Sequence, residues 1–114
     1  MERRSYERVP VPSRVQVKFL LGNMIYPGVI TNISENGMFI GTKLTFPVGT
    51  EVDIALVLPS EDVLRLPVRV RRTMKTDAFY EYEYNDHNGL GVEVLSVPLN
   101  YLRFVSDLKA TYYC

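Results

Sequence analysis

Two short segments carry side chains suited to gripping an anion. The first is Glu2-Arg3-Arg4-Ser5-Tyr6-Glu7-Arg8, which precedes the first strand-like stretch and has no hydrophobic period. Arg4 and Arg8 are close enough in an extended or turned arm to converge on one ligand from two sides, and Arg3 adds a third guanidinium. The rigid fork of guanidinium donors matches phosphate oxygens and also the O6/N7 edge of guanine, whereas a lysine supplies charge without the fork. Taken alone, an arginine-rich terminus also reads as a solvated, disordered tail. The second segment is Asn32-Ile33-Ser34-Glu35-Asn36-Gly37. Asn32 and Ser34 alternate with Ile33, so their side chains leave a sheet on the side opposite the apolar residue. Asn36-Gly37 is a favoured tight-turn pair, with Gly37 free to take positive φ. An ordinary hairpin, closed by local bonds from Asn and Ser to the backbone, accounts for the same residues.

The rest of the chain must position these two segments, and most of it alternates with the period of two that marks strands. Residues 14–20 place Val15, Val17 and Phe19 on one face and Arg14, Gln16 and Lys18 on the other. After Gly22-Asn23 the pattern predicts a strand over 27–33, a turn at Ser34-Glu35-Asn36-Gly37 and a strand over 38–42. Residues 50–58 align Val52, Ile54, Leu56 and Leu58, and a turn at Pro59-Ser60-Glu61-Asp62 returns the chain through 63–73 as a hairpin. Residues 79–84 alternate again, Asn85-Asp86-His87-Asn88-Gly89 is dense in turn formers, and 90–95 ends the sheet. Six or seven strands at this spacing read as an all-β body, and closing it removes exposed edges. From Pro98 the period changes: Leu99, Leu102, Val105 and Leu108 recur at helical spacing, with Ser96 as candidate cap and Pro98 near the first turn. One amphipathic helix packed on the barrel is expected.

At 114 residues and 46% hydrophobic content, the chain is sized for one domain with a single core. Its 13 basic and 13 acidic residues cancel, which argues against a duplex-DNA or membrane-surface binder and makes any anion site local. No apolar run approaches a membrane span, and the N-terminus lacks the apolar stretch of a signal peptide, so a cytoplasmic protein without membrane insertion is expected. Cys114 and His87 are too few for a disulfide or a metal site. No nucleophile lies beside a base and no carboxylate pair marks a site, so no catalytic residue, metal or cofactor is expected and the chain does not read as an enzyme. Arg65, Arg69, Arg71, Arg72 and Lys75 crowd one region, read as an outward face with Leu64, Leu66, Val68 and Val70 inward. Tyr80, Tyr82 and Tyr84 share one face, and these residues read as packing, as do Tyr101, Phe104, Tyr112 and Tyr113 around the helix.

Arg4-x-x-x-Arg8 followed by Asn32-x-Ser34-x-x-Gly37 resembles the PilZ domain family, bacterial receptors for cyclic di-GMP. Gly37-Met38-Phe39-Ile40, Pro47-Val48-Gly49-Thr50, Val68-Arg69-Val70, Gly89-Leu90-Gly91-Val92-Glu93-Val94 and the closing helix fall where the family puts comparable elements, so the resemblance runs from residue 2 to about 109. It implies an all-β fold, a six-stranded antiparallel β-barrel of split-barrel type with a C-terminal α-helix. One domain would fill 1–114, with a ligand-binding arm at 1–13, the barrel at 14–96 and the helix at 98–110. By the same resemblance Arg4 and Arg8 grip phosphate and guanine edges, while Asn32, Ser34 and Gly37 form the opposing wall. The family takes Asp or Asn at the first position of the turn, and neutral Asn32 has a single acceptor oxygen for a guanine edge. Arg3 is placed to stack on a base or favour a self-stacked ligand dimer. The implied function is a cyclic di-GMP receptor or adaptor whose arm changes conformation on binding and signals to a downstream protein controlling motility, biofilm or exopolysaccharide output. Ligand stoichiometry and a homodimer stay open. Two alternatives remain: a protein-interaction module of the same fold with weak or no ligand binding, and an OB-like single-strand nucleic-acid binder, against which the zero net charge counts.

Overall fold

In the computed structural model, which describes residues 8–74 and 88–113 (without the side chains of 12–14 and 113), the alternating segments become six strands and the final segment a helix. They are β1 (Val9–Leu21), β2 (Met24–Ser34), β3 (Gly37–Gly41), β4 (Glu51–Val57), β5 (Val63–Met74), β6 (Gly89–Val94) and α1 (Leu99–Tyr113). The strands close into a barrel in the order β1-β2-β3-β6-β5-β4, with every pairing antiparallel. The six-stranded barrel and C-terminal helix expected from the sequence are thus present. β1 starts at Val9, not at residue 14, because Val9 pairs with Ile33 and buries its side chain in the core. The alternating stretch over 79–84, together with Arg3, Arg4, Lys75, His87 and Cys114, lies outside the described residues.

Closure works because one apolar side chain in two points inward. Val15, Val17, Phe19, Ile30, Ile40, Ile54, Leu56, Leu66, Val68, Val70, Leu90 and Val92 fill the interior, all buried. The register shifts at three places, between Pro10 and Val15 in β1, between Ile30 and Asn32 in β2, and between Val70 and Arg72 in β5. In β2 and β5 the extra residue reverses the alternation, since a bulge sets two residues against one on the partner strand. Ile30 and Ile33, three apart, therefore both point into the core, and Asn32 points out.

β2 and β4 run in the same direction, so the β2–β3 and β4–β5 turns lie at one end of the barrel, where β6 also leads into α1. The helix covers that end. It begins after Pro98, whose carbonyl accepts the amides of Tyr101 and Leu102, and Ser96 makes no hydrogen bond to this first turn. The buried stripe is Tyr101, Phe104 and Val105, with Leu108 partly buried; Tyr101 and Phe104 pack as expected, and of the expected Leu99, Leu102, Val105 and Leu108 only the last two face inward. Leu99 is 63% and Leu102 37% exposed. The helix is rotated because the larger aromatic rings displace more water, and because the Tyr101 hydroxyl finds a partner inside. Tyr112 is exposed, against the expectation that it packs.

The Tyr101 hydroxyl donates to the Ser34 carbonyl at 2.7 Å. A Tyr101→Phe variant leaves that carbonyl buried without its donor, and its unfolding free energy falls by about 1–3 kcal/mol in denaturant titrations. Burial pushes the Tyr101 phenol above its ordinary range; the nearby Glu35 charge adds to this and Arg8 opposes it. A group whose pKa is raised by folding stabilises fully below its unfolded pKa, about 10 for tyrosine. Stability therefore falls as pH rises past about 10, and the slope is shallower in Tyr101→Phe, as denaturant midpoints between pH 8 and 11 would record.

Candidate functional site

The Asn32-to-Gly37 segment forms the end of β2, a two-residue connection and the start of β3. Ser34 and Gly37 pair across the hairpin, so Glu35 and Asn36 make the loop. None of Glu35, Asn36 and Gly37 has positive φ, which excludes the mirror-image turn that Asn36-Gly37 would favour. Glycine is required at 37 for a different reason: a Cβ there would stand 2.6 Å from the Val92 carbonyl oxygen on β6 and 3.6 Å from Nη2 of Arg8. The backbone lies against its neighbour strand, and the arm's guanidinium lies over the gap.

Arg8 reaches the turn from the other side. It stands one residue before Val9, whose strand partner is Ile33, and its Nη1 donates to Oδ1 of Asn32 at 3.0 Å. The Asn32 amide nitrogen in turn donates to Oγ1 of Thr31, the bulge residue, at 3.4 Å. Arg8, Asn32 and Gly37, three of the expected site residues, thus meet on the outer face of the barrel. Ser34 joins them in sequence but not in exposure. It is 1% exposed, and its hydroxyl donates to Oδ1 of Asn36 at 3.0 Å and approaches the Gly37 carbonyl at 3.4 Å. In this state Ser34 shapes the turn from within. Arg3 and Arg4 lie outside the described residues.

Sequence reasoning misses the clamp behind the turn. Lys109 on α1 holds both carboxylate oxygens of Glu35 at 2.9 Å, in a pair whose side chains are mostly buried. The Val94 amide donates to the Asn36 carbonyl at 2.9 Å. With the Tyr101 bond these contacts fix every residue of the loop to α1 or β6. Glu35 and Lys109 are too far apart in sequence for any local pattern to pair them.

The outer face beside the site is basic but largely neutralised. Arg69 donates through Nη2 to Glu51 at 2.7 Å, Arg71 through Nη1 to Glu93 at 3.3 Å, and Arg65 lies 3.8 Å from Asp53. No group of acidic, histidine or cysteine side chains able to hold a metal ion occurs among the described residues. None of the described helices is long and apolar enough to cross a membrane.

The PilZ domain family matches residues 2–107, nearly the whole chain, and the chain belongs to that family. It is similar to the PilZ domain of YcgR from Escherichia coli, solved with c-di-GMP, at a TM-score of 0.69 and 15% identity, covering 98% of this chain and 92% of that one. It is also similar to the inhibitor of motility MotI/DgrA of Bacillus subtilis, at a TM-score of 0.72 and 16% identity over 97% of this chain and 52% of that one. The structure of E. coli YcgR in complex with c-di-GMP aligns at a TM-score of 0.71 and 15% identity, over 96% and 46%. The chain spans about half the length of the last two. At these identities the likeness is one of fold. Comparison with curated protein sequences gives no match.

Replacing Gly37 with Ala forces a methyl group against a strand carbonyl that cannot swing away. The variant is expected to lose about 2 kcal/mol or more of stability in thermal or denaturant melts, through overpacking of the β3–β6 pair.

Proposed function

We propose that the chain is a receptor for cyclic di-GMP that acts as an adaptor in the cytoplasm. The observation that carries this reading is the meeting of Arg8, Asn32 and Gly37 on one patch of the outer face, on a chain of the PilZ family. YcgR, a relative in fold, was solved with c-di-GMP. The Arg8 guanidinium, lying across Gly37, can present its donors to a phosphate or to the O6/N7 edge of a guanine. Arg4 and Arg3 add further donors from the arm, and Asn32 and Ser34 supply the opposing wall. Ligand phosphates offset the repulsion among clustered guanidiniums and fix the arm on the barrel, and a partner protein reads the surface so formed. The reaction is one of binding, with no covalent step. A micromolar dissociation constant, about −8 kcal/mol, is within reach of a few charge-assisted bonds and stacking once the cost of ordering the arm is subtracted.

One observation favours a second reading, a protein-interaction module of the same fold with weak or no ligand affinity. The Ser34 hydroxyl is buried and already bonded within the turn, and the acceptor oxygen of Asn32 is already taken by Arg8. Ligand binding must exchange or share these bonds.

Calorimetric titration with cyclic di-GMP at moderate salt, with linear diguanylate as control, separates the two. Saturable binding that weakens about tenfold or more in Arg8→Ala, in line with loss of a charge-assisted contact, is expected. Absence of heat and of thermal shift at ligand concentrations near ~1 mM, where even a dissociation constant in that range would register, selects the interaction module.

A further inference from the structure

The three register shifts of the barrel converge on one line. Pro10 pairs with Asn32, Asn32 with Phe39, Phe39 with Gly91 and Gly91 with Arg72, so these five residues form a single outward row across β1, β2, β3, β6 and β5. Each irregularity begins at a member of this row: after Pro10, before Asn32 and before Arg72. Bulges collect beside functional sites because they re-aim a side chain. In β2 the bulge turns Asn32 outward. In β5 it does the same for Arg72, which strict alternation with Val68 and Val70 would send into the core.

Arg72 differs from the other arginines of its strand. Arg65, Arg69 and Arg71 face carboxylates. Among the described residues Arg72 has no hydrogen bond or ion pair, and it is exposed. Yet it is laid down on the sheet. A Cβ on Gly91 would stand 3.0 Å from its Cγ and 3.3 Å from its Nε, so the side chain crosses the bare backbone of β6 toward the side where β3 and β2 carry Phe39 and Asn32. Three strand spacings separate Arg72 from Asn32, about 14 Å between backbones, and the lean of the side chain shortens that span. An uncompensated guanidinium on this row is a fixed positive charge aimed along the face that Arg8 also occupies.

We propose that Arg72 is a further ligand-binding residue of the outer-face site, where its guanidinium takes a phosphate of the dinucleotide on the side away from Arg8. This assignment rests on the receptor reading above. It gives the site two cationic ends, Arg8 at β1 and Arg72 at β5, as a ligand with two phosphates requires. Arg72 stands apart from the neutralised ladder of Arg65, Arg69 and Arg71 on the same strand.

The test is titration of the full chain with cyclic di-GMP in the wild type, Arg72→Ala, Arg72→Lys, Arg8→Ala and Arg65→Ala, each first checked by thermal melting for an intact fold. Arg72→Ala is expected to weaken binding about tenfold or more, Arg72→Lys to retain part of the affinity through its charge, and Arg65→Ala to bind as the wild type does. Arg72→Ala binding at wild-type affinity while Arg8→Ala loses it would overturn the role of Arg72 and leave the receptor reading standing. Equal loss in Arg65→Ala and Arg72→Ala would also overturn it, since only overall charge would then matter. A wild type that binds no cyclic di-GMP removes the receptor reading and this assignment together.

Discussion

A closed barrel of six strands must send alternate residues inward, and the rest of this molecule follows from how that rule is kept and where it is broken. Along most of each strand the alternation is regular and the interior fills with Val, Ile, Leu and Phe. At Thr31 in β2 and Arg71 in β5 one extra residue is accommodated, and the face presented by everything beyond it is exchanged. The apolar core stays continuous through the β2 point, since Ile30 and Ile33 both remain inside, while in β5 it ends at Val70. What changes is the outer surface. Polar and cationic side chains that regular alternation would bury are turned out in one row, beside the strand into which the arginine arm leads.

The turn that carries Asn32, Ser34 and Gly37 is held from behind by the helix. A buried hydroxyl on a carbonyl and an ammonium on a carboxylate tie α1 to consecutive residues of the turn. Each bond is worth more here than at an open surface, because the groups are largely shielded from water and an unmade bond would leave a buried polar atom alone. The arm docks on the outer side of the same turn through Arg8. The turn thus joins the arm to the helix, and the Tyr101 phenol lies within reach of both the Glu35 and the Arg8 charge. A surface built this way is preorganised.

Charge is distributed to the same end. The chain has no net charge, and the outer face of β4, β5 and β6 neutralises Arg65, Arg69 and Arg71 against Asp53, Glu51 and Glu93. Such exposed pairs add little stability. They do remove the broad positive field that would draw nucleic acid indiscriminately.

Alternating Val, Ile and Leu in each strand, the turn formers between strands and the change of period at Pro98 were enough to read the barrel and its helix from the sequence, because burial on a pleated strand depends on near neighbours alone. The spacing of Arg8, Asn32 and Gly37 was also legible, since an arm and a hairpin are local features. The helix face was legible in part: Tyr101, Phe104, Val105 and Leu108 pack as read, but the exposure of Leu99 and Leu102 depended on a carbonyl in a turn distant in sequence. Nor was the reason for Gly37, which lies in the closeness of β6 and not in its own φ. The clamp of Lys109 on Glu35 and the outward turn of Arg72 needed the register of strands brought together by closure. Local alternation settles which residues can be inside; only the paired sheet decides where the alternation slips, and so which polar side chains face one another across the outer surface.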